Sequence, residues 1–361
     1  MIADVALFYG ERSGGIRTYL HEKARFASEA GAFDHHMIVP GRRERHTGGL
    51  HELPSLQLVS STGYGIPYGA GALKKTLRAL RPQIVILHDP FWRPSGVTAE
   101  AHRLGARVLA AHHASAALNA AGIPGPDALY LPLLKRIYRN AYEHVDAVMS
   151  VVDSTPCSGR EATLPLRFGL HPAFRPGPAT PGDHVLYVGR IAWEKGVFCL
   201  LEAASLAPDP WPLLLVGDGP ALRSAHARAE RLGIADRVEF RPFESSRDRL
   251  ARLYRGASCV VQPGPHETFG LVALEAAASG TRVVTCSSTP SAQVAGPLAE
   301  TFEAENAADL LRAITRARAA EPDVSAATAL ADRLTWERVF TAELEDLARL
   351  LEDDPGDETG R

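Results

Sequence analysis

The feature that most constrains this fold is an alternation that occurs twice. Short apolar, β-rich runs at residues 2–9, 36–39, 57–60, 84–88, 108–112 and 147–152 are separated by stretches with helical spacing. That is the pattern of βαβ units, in which each parallel strand needs a helical crossover. A second series follows at residues 184–190, 213–216, 238–240, 259–262 and 283–286. Between the two lies HPAFRPGPATPGD, residues 171–183, dense in the prolines and glycines that break helices. The expectation is an α/β chain of two Rossmann-like, doubly wound parallel sheets in tandem, with a boundary near Arg175. A length of 361 residues agrees, because single cores seldom grow past roughly 250 residues. An amphipathic stretch at 336–351 reads as a last helix, and residues 352–361 as a flexible acidic tail.

Charge and cysteine usage exclude several classes. A formal net charge of −3 lacks the Lys/Arg excess of a nucleic-acid binder. Cys157, Cys199, Cys259 and Cys286 are far apart with no CxxC pair, and read as free thiols in a reducing compartment. The opening MIADVALFYGE sets Asp4 inside an apolar run and carries no basic leader, so it is expected to be the first strand. No apolar run reaches the roughly 20 residues that span a bilayer. A cytoplasmic protein is expected, with contact at the inner face of the membrane left open. Two basic stretches bear on that contact: residues 73–81, with Lys74, Lys75 and Arg78, and residues 131–139, with Lys135, Arg136 and Arg139. They suit an anionic surface and a lipid acceptor, or plain amphipathic helices with a solvated basic face.

The most informative segment is QPGPHETFGLVALEAAASG, residues 262–280. A strand ends at Gln262, a Pro/Gly loop follows, and Thr268 is placed to cap a helix that stops at Gly280. The free N–H groups of Phe269, Gly270 and Leu271, at the positive end of the helix dipole, would suit a diphosphate. Glu267 and Glu275, eight residues apart, would be about 12 Å apart along a continuous helix, beyond the roughly 5 to 9.5 Å of a hydrolase acid/base pair. The sugar and ribose hydroxyls of a sugar nucleotide fit that spacing better, while Glu275 alone also reads as a helix residue tied to a neighbouring loop.

A second motif, VGRIAWEKG at 188–196, brings Arg190 and Lys195 to a strand's carboxyl edge, where two cations can neutralise a leaving diphosphate without a metal. A third, Ser13-Gly14-Gly15-Ile16-Arg17, opens the first helix and lets backbone approach a phosphate. VGDGP at 216–220, with Gly217, is a similar turn at a strand edge.

Together and in this order, SGG, VGRIAWEKG, LLVGDGP and HETFGLVALEAAASG resemble the family 4 retaining glycosyltransferases of the GT-B fold, glycosyl transferases group 1. The resemblance implies two Rossmann-like domains facing across a cleft: an acceptor-binding domain at 1–174 and a nucleotide-sugar-binding domain at 175–335, with the helix at 336–351 packing back on the first. It implies that Glu267 binds the donor sugar, Glu275 the ribose, and Arg190 with Lys195 the diphosphate. Thr268, Phe269, Gly270 and Leu271 would hold the sugar or phosphate, and Gly14 and Gly15 would close on the donor from the other domain. A family histidine facing the donor sugar corresponds to His113 in AAHHAS, with His112 as the competing choice. The implied reaction is retaining transfer of a hexose from a UDP- or GDP-sugar to a sugar, lipid or small molecule, with no metal or other cofactor.

Two departures are visible. Relatives carry Asn-Gly just before the linker where this chain has Arg167-Phe168-Gly169-Leu170, and a glycine where it has Arg241-Pro242, beside the expected base pocket. Other readings on the same fold are an epimerase, a glycogen-synthase-like or phosphorylase-like enzyme, or a non-catalytic or partner-dependent sugar-nucleotide binder.

Overall fold

The chain divides into two α/β units, residues 1–169 with 336–361, and residues 170–335. The structure, a computed structural model, describes residues 1–7, 9, 15–59, 64–88, 94–113, 127–151, 162–178, 182–265, 267 and 269–352.

The first unit contains β1 (Ile2–Val5), α1 (Gly15–Ala30), β2 (His35–Gly41), β3 (Arg45–Thr47), β4 (Leu50–Val59) and β5 (Tyr64–Pro67). It continues through α2 (Gly71–Leu80), β6 (Ile84–Leu87), α3 (Pro94–Arg103), β7 (Arg107–His112), α4 (Asp127–Tyr142), β8 (Ala147–Ser150) and β9 (Ala162–Pro165). Strand order is β3-β4-β2-β1-β6-β7-β8-β9, with β5 added on β4. Pairing is parallel except where β3 and β5 turn back on β4. Leu7, Ile38, Leu73, Val85, Val108 and Tyr138 share its main apolar core.

The second unit contains β10 (Val185–Val188), α5 (Val197–Ser205), β11 (Leu213–Val216), α6 (Leu222–Arg231), β12 (Val238–Arg241), α7 (Arg247–Gly256) and β13 (Cys259–Gln262). After these come α8 (Leu271–Ala278), β14 (Val283–Cys286), α9 (Pro290–Ala295), β15 (Ala299–Phe302), α10 (Ala307–Ala319) and α11 (Val324–Arg333). Its sheet is wholly parallel, in the order β12-β11-β10-β13-β14-β15. The four inner strands read VLYV, LLLV, CVVQ and VVTC and are buried at every residue. Continuous apolar runs arise because helices cover both faces of a parallel sheet. One face packs on Leu200, Leu201, Ala225, Leu310 and Ile314. The other packs on Leu250, Tyr254, Ala273, Ala277 and Leu330.

The final helix, α12 (Trp336–Glu352), belongs to the first unit. Trp336 and Phe340 sit against Tyr19, and Phe340 also against Phe26 of α1. A Cβ on Gly169 would come within 2.4 Å of the Trp336 ring, which accounts for the glycine in RFGL.

The boundary expected near Arg175 lies inside the second unit. Leu170 N donates to Leu334 O at 2.7 Å, and Phe174 is 1% exposed in the same apolar cluster as Leu186 and Tyr254. Arg255 donates to the carbonyls of Ala173 and Arg175. The apolar residues ahead of the prolines are therefore core, and the Pro/Gly composition of the segment hides that. β3, β5, β9 and β15 escape the strand reading, because these short segments lack a sustained apolar run.

Candidate active site

In an open parallel sheet, ligands bind outside the carboxyl ends of the strands where the order reverses. In the second unit that point lies between β10 and β13. VGR follows β10 and the PGPHE loop follows β13, so Lys195 and Glu267 come from opposite sides of the reversal. Lys195 Nζ lies 2.6 Å from Glu267 Oε1, with both side chains partly accessible. Arg190 is more exposed and pairs with Glu194. Each cation thus has a carboxylate partner.

The glycines of these loops let backbone approach backbone. A Cβ on Gly217 would lie 2.0 Å from Gly189 O, and one on Gly196 would lie 2.5 Å from Pro263 O at a φ of +69°. Ile191 N donates to Asp218 O, and Ala221 N to Ile191 O, so the turns after β10 and β11 are locked together. Gly217 therefore has a packing role in addition to the donor contact expected of it. Tyr187 donates its hydroxyl to Arg190 O and Gln262 its amide to Val188 O, fixing the path of the chain that carries Arg190.

The helix after Glu267 starts later than the sequence suggested. α8 begins at Leu271, and its N-cap is Gly270, at φ 62° and ψ 43°. A residue in the left-handed region cannot lie within a right-handed helix, and a Cβ there would meet Ser291 at 2.4 Å. Leu274 N bonds Gly270 O, so the free donors of the first turn are those of Leu271, Val272 and Ala273 rather than the set centred on Phe269. Phe269 is buried. Thr268 and Gly14 lie outside the described residues, as does Cys157. Gly15 is the first residue of α1.

Glu267 lies ahead of α8, so the 12 Å helical separation from Glu275 does not apply. Glu275 is buried, accepts a hydrogen bond from Tyr254 Oη at 2.8 Å and has Arg247 Nη1 at 3.6 Å. Its carboxyl is pushed up to about 7, because burial penalises the anion by more than Arg247 and Tyr254 recover. The same helix, α7, also lines a cavity of about 400 Å³ with Arg249, Arg252 and Leu253, facing Arg241, Pro242 and Phe243. Phe243 is 72% exposed over it. Arg241-Pro242, a departure from the family pattern, thus forms part of the cavity wall.

In the first unit the order reverses between β1 and β6. His113 follows β7, the neighbour of β6, and is buried. Its Nε2 lies 2.7 Å from His88 Nδ1, at the end of β6, while His88 Nε2 lies 2.6 Å from Asp4 Oδ1 on β1. His112 turns instead to Tyr138 and Tyr142 of α4. Burial drives His113 well below the usual histidine range, and His88 and His112 add to the effect. Asp4, His88, Tyr254 and Arg247 were not singled out from sequence as site residues. An aspartate in the middle of an apolar strand was the available signal for the first of them.

Of the two basic stretches, α2 ties Arg78 to Glu100 and Lys75 to Glu44. α4 buries Leu134 and Tyr138 while Leu133, 58% exposed, shares its outer face with Lys135, Arg136 and Arg139. Among the described residues no helix is long and apolar enough to cross a membrane.

Comparison with known proteins identifies the family. Residues 174–328 match the family model "Glycosyl transferases group 1", and residues 13–155 match "Glycosyltransferase Family 4". The chain is 31% identical over 319 residues to a GDP-mannose-dependent alpha-(1-6)-phosphatidylinositol dimannoside mannosyltransferase of Mycobacterium tuberculosis, covering 78% of each protein. It is 41% identical over 146 residues to a D-inositol 3-phosphate glycosyltransferase of Mycolicibacterium gilvum, which spans 39% of this chain and 31% of that protein. The fold is similar to that of sucrose-phosphate synthase from Thermosynechococcus elongatus, at a TM-score of 0.74 and 21% identity over 97% of this chain and 98% of that one. With paired α/β units, the motifs at their strand ends and a relative of this identity across most of its length, the chain belongs to the family 4 glycosyltransferases of the GT-B fold.

Proposed function

We propose that the protein transfers mannose from GDP-mannose to a sugar, lipid or small-molecule acceptor with retention of configuration and without a metal. The observation that carries this reading is the Lys195–Glu267 contact at 2.6 Å across the reversal of the second sheet. An arriving diphosphate draws Lys195 toward itself, with Arg190 as the second cation, and frees the Glu267 carboxylate to accept a hydrogen bond from a sugar hydroxyl. Two fixed cations at the phosphates perform the charge neutralisation that other enzymes assign to a divalent ion. The first turn of α8 adds N–H donors and the positive end of its dipole.

In the transfer, the bond from the anomeric carbon to the phosphate oxygen breaks and a bond to the acceptor oxygen forms on the same face. The acceptor's proton passes to the leaving phosphate, so no protein base is consumed. His113, neutral at pH 7, serves as a hydrogen-bond acceptor for a sugar hydroxyl. The cavity under Phe243 takes the base, and Glu275 takes the ribose hydroxyls. The GDP-mannose dependence of the mannosyltransferase relative supports guanine as that base.

The test is thermal stabilisation by GDP, UDP and ADP. A ligand at a hundred times its dissociation constant adds about 2.7 kcal/mol. GDP should raise the melting temperature and the other two should not. Stabilisation by UDP alone would replace the donor, and stabilisation by none would favour a non-catalytic or partner-dependent member of the family.

A further inference from the structure

The first unit buries an ordered chain of polar side chains along the carboxyl edge of β1, β6 and β7. Lys23 Nζ of α1 lies 3.1 Å from Asp4 Oδ2 and 2.7 Å from Glu343 Oε1 of α12, and Tyr19 donates its hydroxyl to Glu343 Oε2. His35 Nε2 lies 2.6 Å from Asp4 Oδ2, and His88 Nε2 lies 2.6 Å from Asp4 Oδ1. The rings of His88 and His113 are 18° from coplanar with centroids 5.0 Å apart, which suits an in-plane bond between the facing nitrogens, 2.7 Å apart. Apolar strand and helix residues surround the group, and Asp4, Lys23, His88 and Glu343 are each at most 2% exposed.

From this arrangement we infer that His88 is a positioning residue for the transfer reaction, which with Asp4 holds His113 in one tautomer, protonated at Nε2 with the lone pair at Nδ1. The inference rests on the reading that His113 meets a sugar hydroxyl. Asp4 is ionised, held well below the carboxylate range although burial opposes this, because Lys23, His35 and His88 all favour the anion. A carboxylate only accepts, so His88 must present Nε2–H to it. With a single ring proton placed at Nε2, His88 has its lone pair at Nδ1 and accepts from His113 across the 2.7 Å contact, which puts the His113 proton on Nε2. The remaining nitrogen of His113 is an acceptor, so the ring binds a hydroxyl as its donor and does not act as a general acid. Among the described residues, the other titratable groups against this chain are His35 on β2, His112 on β7, Lys23 and Tyr19 on α1, and Glu343 on α12.

The direct test needs no variant. Nitrogen-15 NMR of the full-length protein labelled at histidine distinguishes the two neutral tautomers and the imidazolium, with His113→Gln assigning the resonance. His113 should show the Nε2–H form and no titration between about pH 6 and 8. An Nδ1–H form or an imidazolium would overturn the inference. Kinetics supply the second readout. His88→Phe, similar in shape and unable to accept, should lose the single tautomer and lower kcat by about tenfold or more while GDP stabilisation is retained. A His88→Phe enzyme with unchanged kcat, beside an inactive His113→Gln, would also overturn it. If His113→Gln itself kept full kcat and KM, the assignment of His113 to the reaction would fall and the positioning role with it, even with the Nε2–H form observed.

Discussion

The two units share an architecture and treat polar groups in opposite ways. The first buries Asp4, Lys23 and Glu343 at 2% exposure or less and sets His35 and His88 against Asp4; ten of the chain's fourteen histidines precede residue 170. The second fills both faces of its sheet with apolar side chains and keeps Arg190, Glu194, Lys195 and Glu267 at the strand ends. Charge at a strand end is available to a ligand, and its partner can change when the ligand arrives. Charge inside the unit is locked, because separating buried partners leaves an uncompensated ion. The contrast explains why the second unit carries the more recognisable motifs: a diphosphate demands the same few groups, whereas a buried network can be assembled from residues scattered over β1, α1, β2, β6 and α12.

The sharpest way to break this contrast is to remove one charge from each unit. Lys195→Ala and Glu267→Ala should each lower transfer by roughly 10³-fold, as removal of one preorganised charge partner does, with a smaller loss of melting temperature than at a fully buried pair, because both side chains are partly accessible. Turnover close to wild type in either would sink the site assignment. Lys23→Met should do the reverse. It strands Asp4 beside Glu343 and should cost about 3–5 kcal/mol of stability by denaturant titration, while leaving GDP affinity intact in whatever protein remains folded. A cost below about 1 kcal/mol would show that the cluster is not the closed ion network described.

A smaller effect comes from pH. Glu275 has its folded-state carboxyl raised to about 7 from an ordinary 4.5, so between those values the folded protein binds more protons than the unfolded one and stability falls as pH rises. Glu275→Gln should therefore stabilise the ligand-free protein by about 1–3 kcal/mol at pH 8 and by little at pH 4.5. The first unit has the opposite sign. His51 and His112 are each lowered to about 4, mainly by burial, so their contribution is present above about 6.5 and is lost as pH falls toward 4. Segment-resolved hydrogen exchange, corrected for intrinsic rates, should show residues around His51 and His112 loosening from pH 7 to 5 while the Glu275 region tightens. The same direction in both would break the comparison.

The second unit was the more legible from sequence. Arg190, Lys195 and Glu267 stand at the strand ends where the motifs put them, since a parallel strand followed by a Gly-rich turn leaves few alternatives. The start of α8 is not legible in the sequence, because Gly270 reads equally well as a loop residue until Ser291 is seen against it. The hidden half is the network on His113. Its members are distant in sequence, as with Asp4 and Glu343, and each taken alone is an ordinary polar residue.

The alternation of short strands and helices, the two tandem sheets and the strand-end motifs were determined by the sequence itself, because local periodicity and turn chemistry specify βαβ units without reference to anything distant. Tertiary structure alone decided the rest. It set the boundary at Leu170, through burial of Phe174. It paired Lys195 with Glu267, through the reversal between β10 and β13. It gave His113 its partners, because a hydrogen bond between β6 and β7 exists only once the sheet has placed their ends side by side.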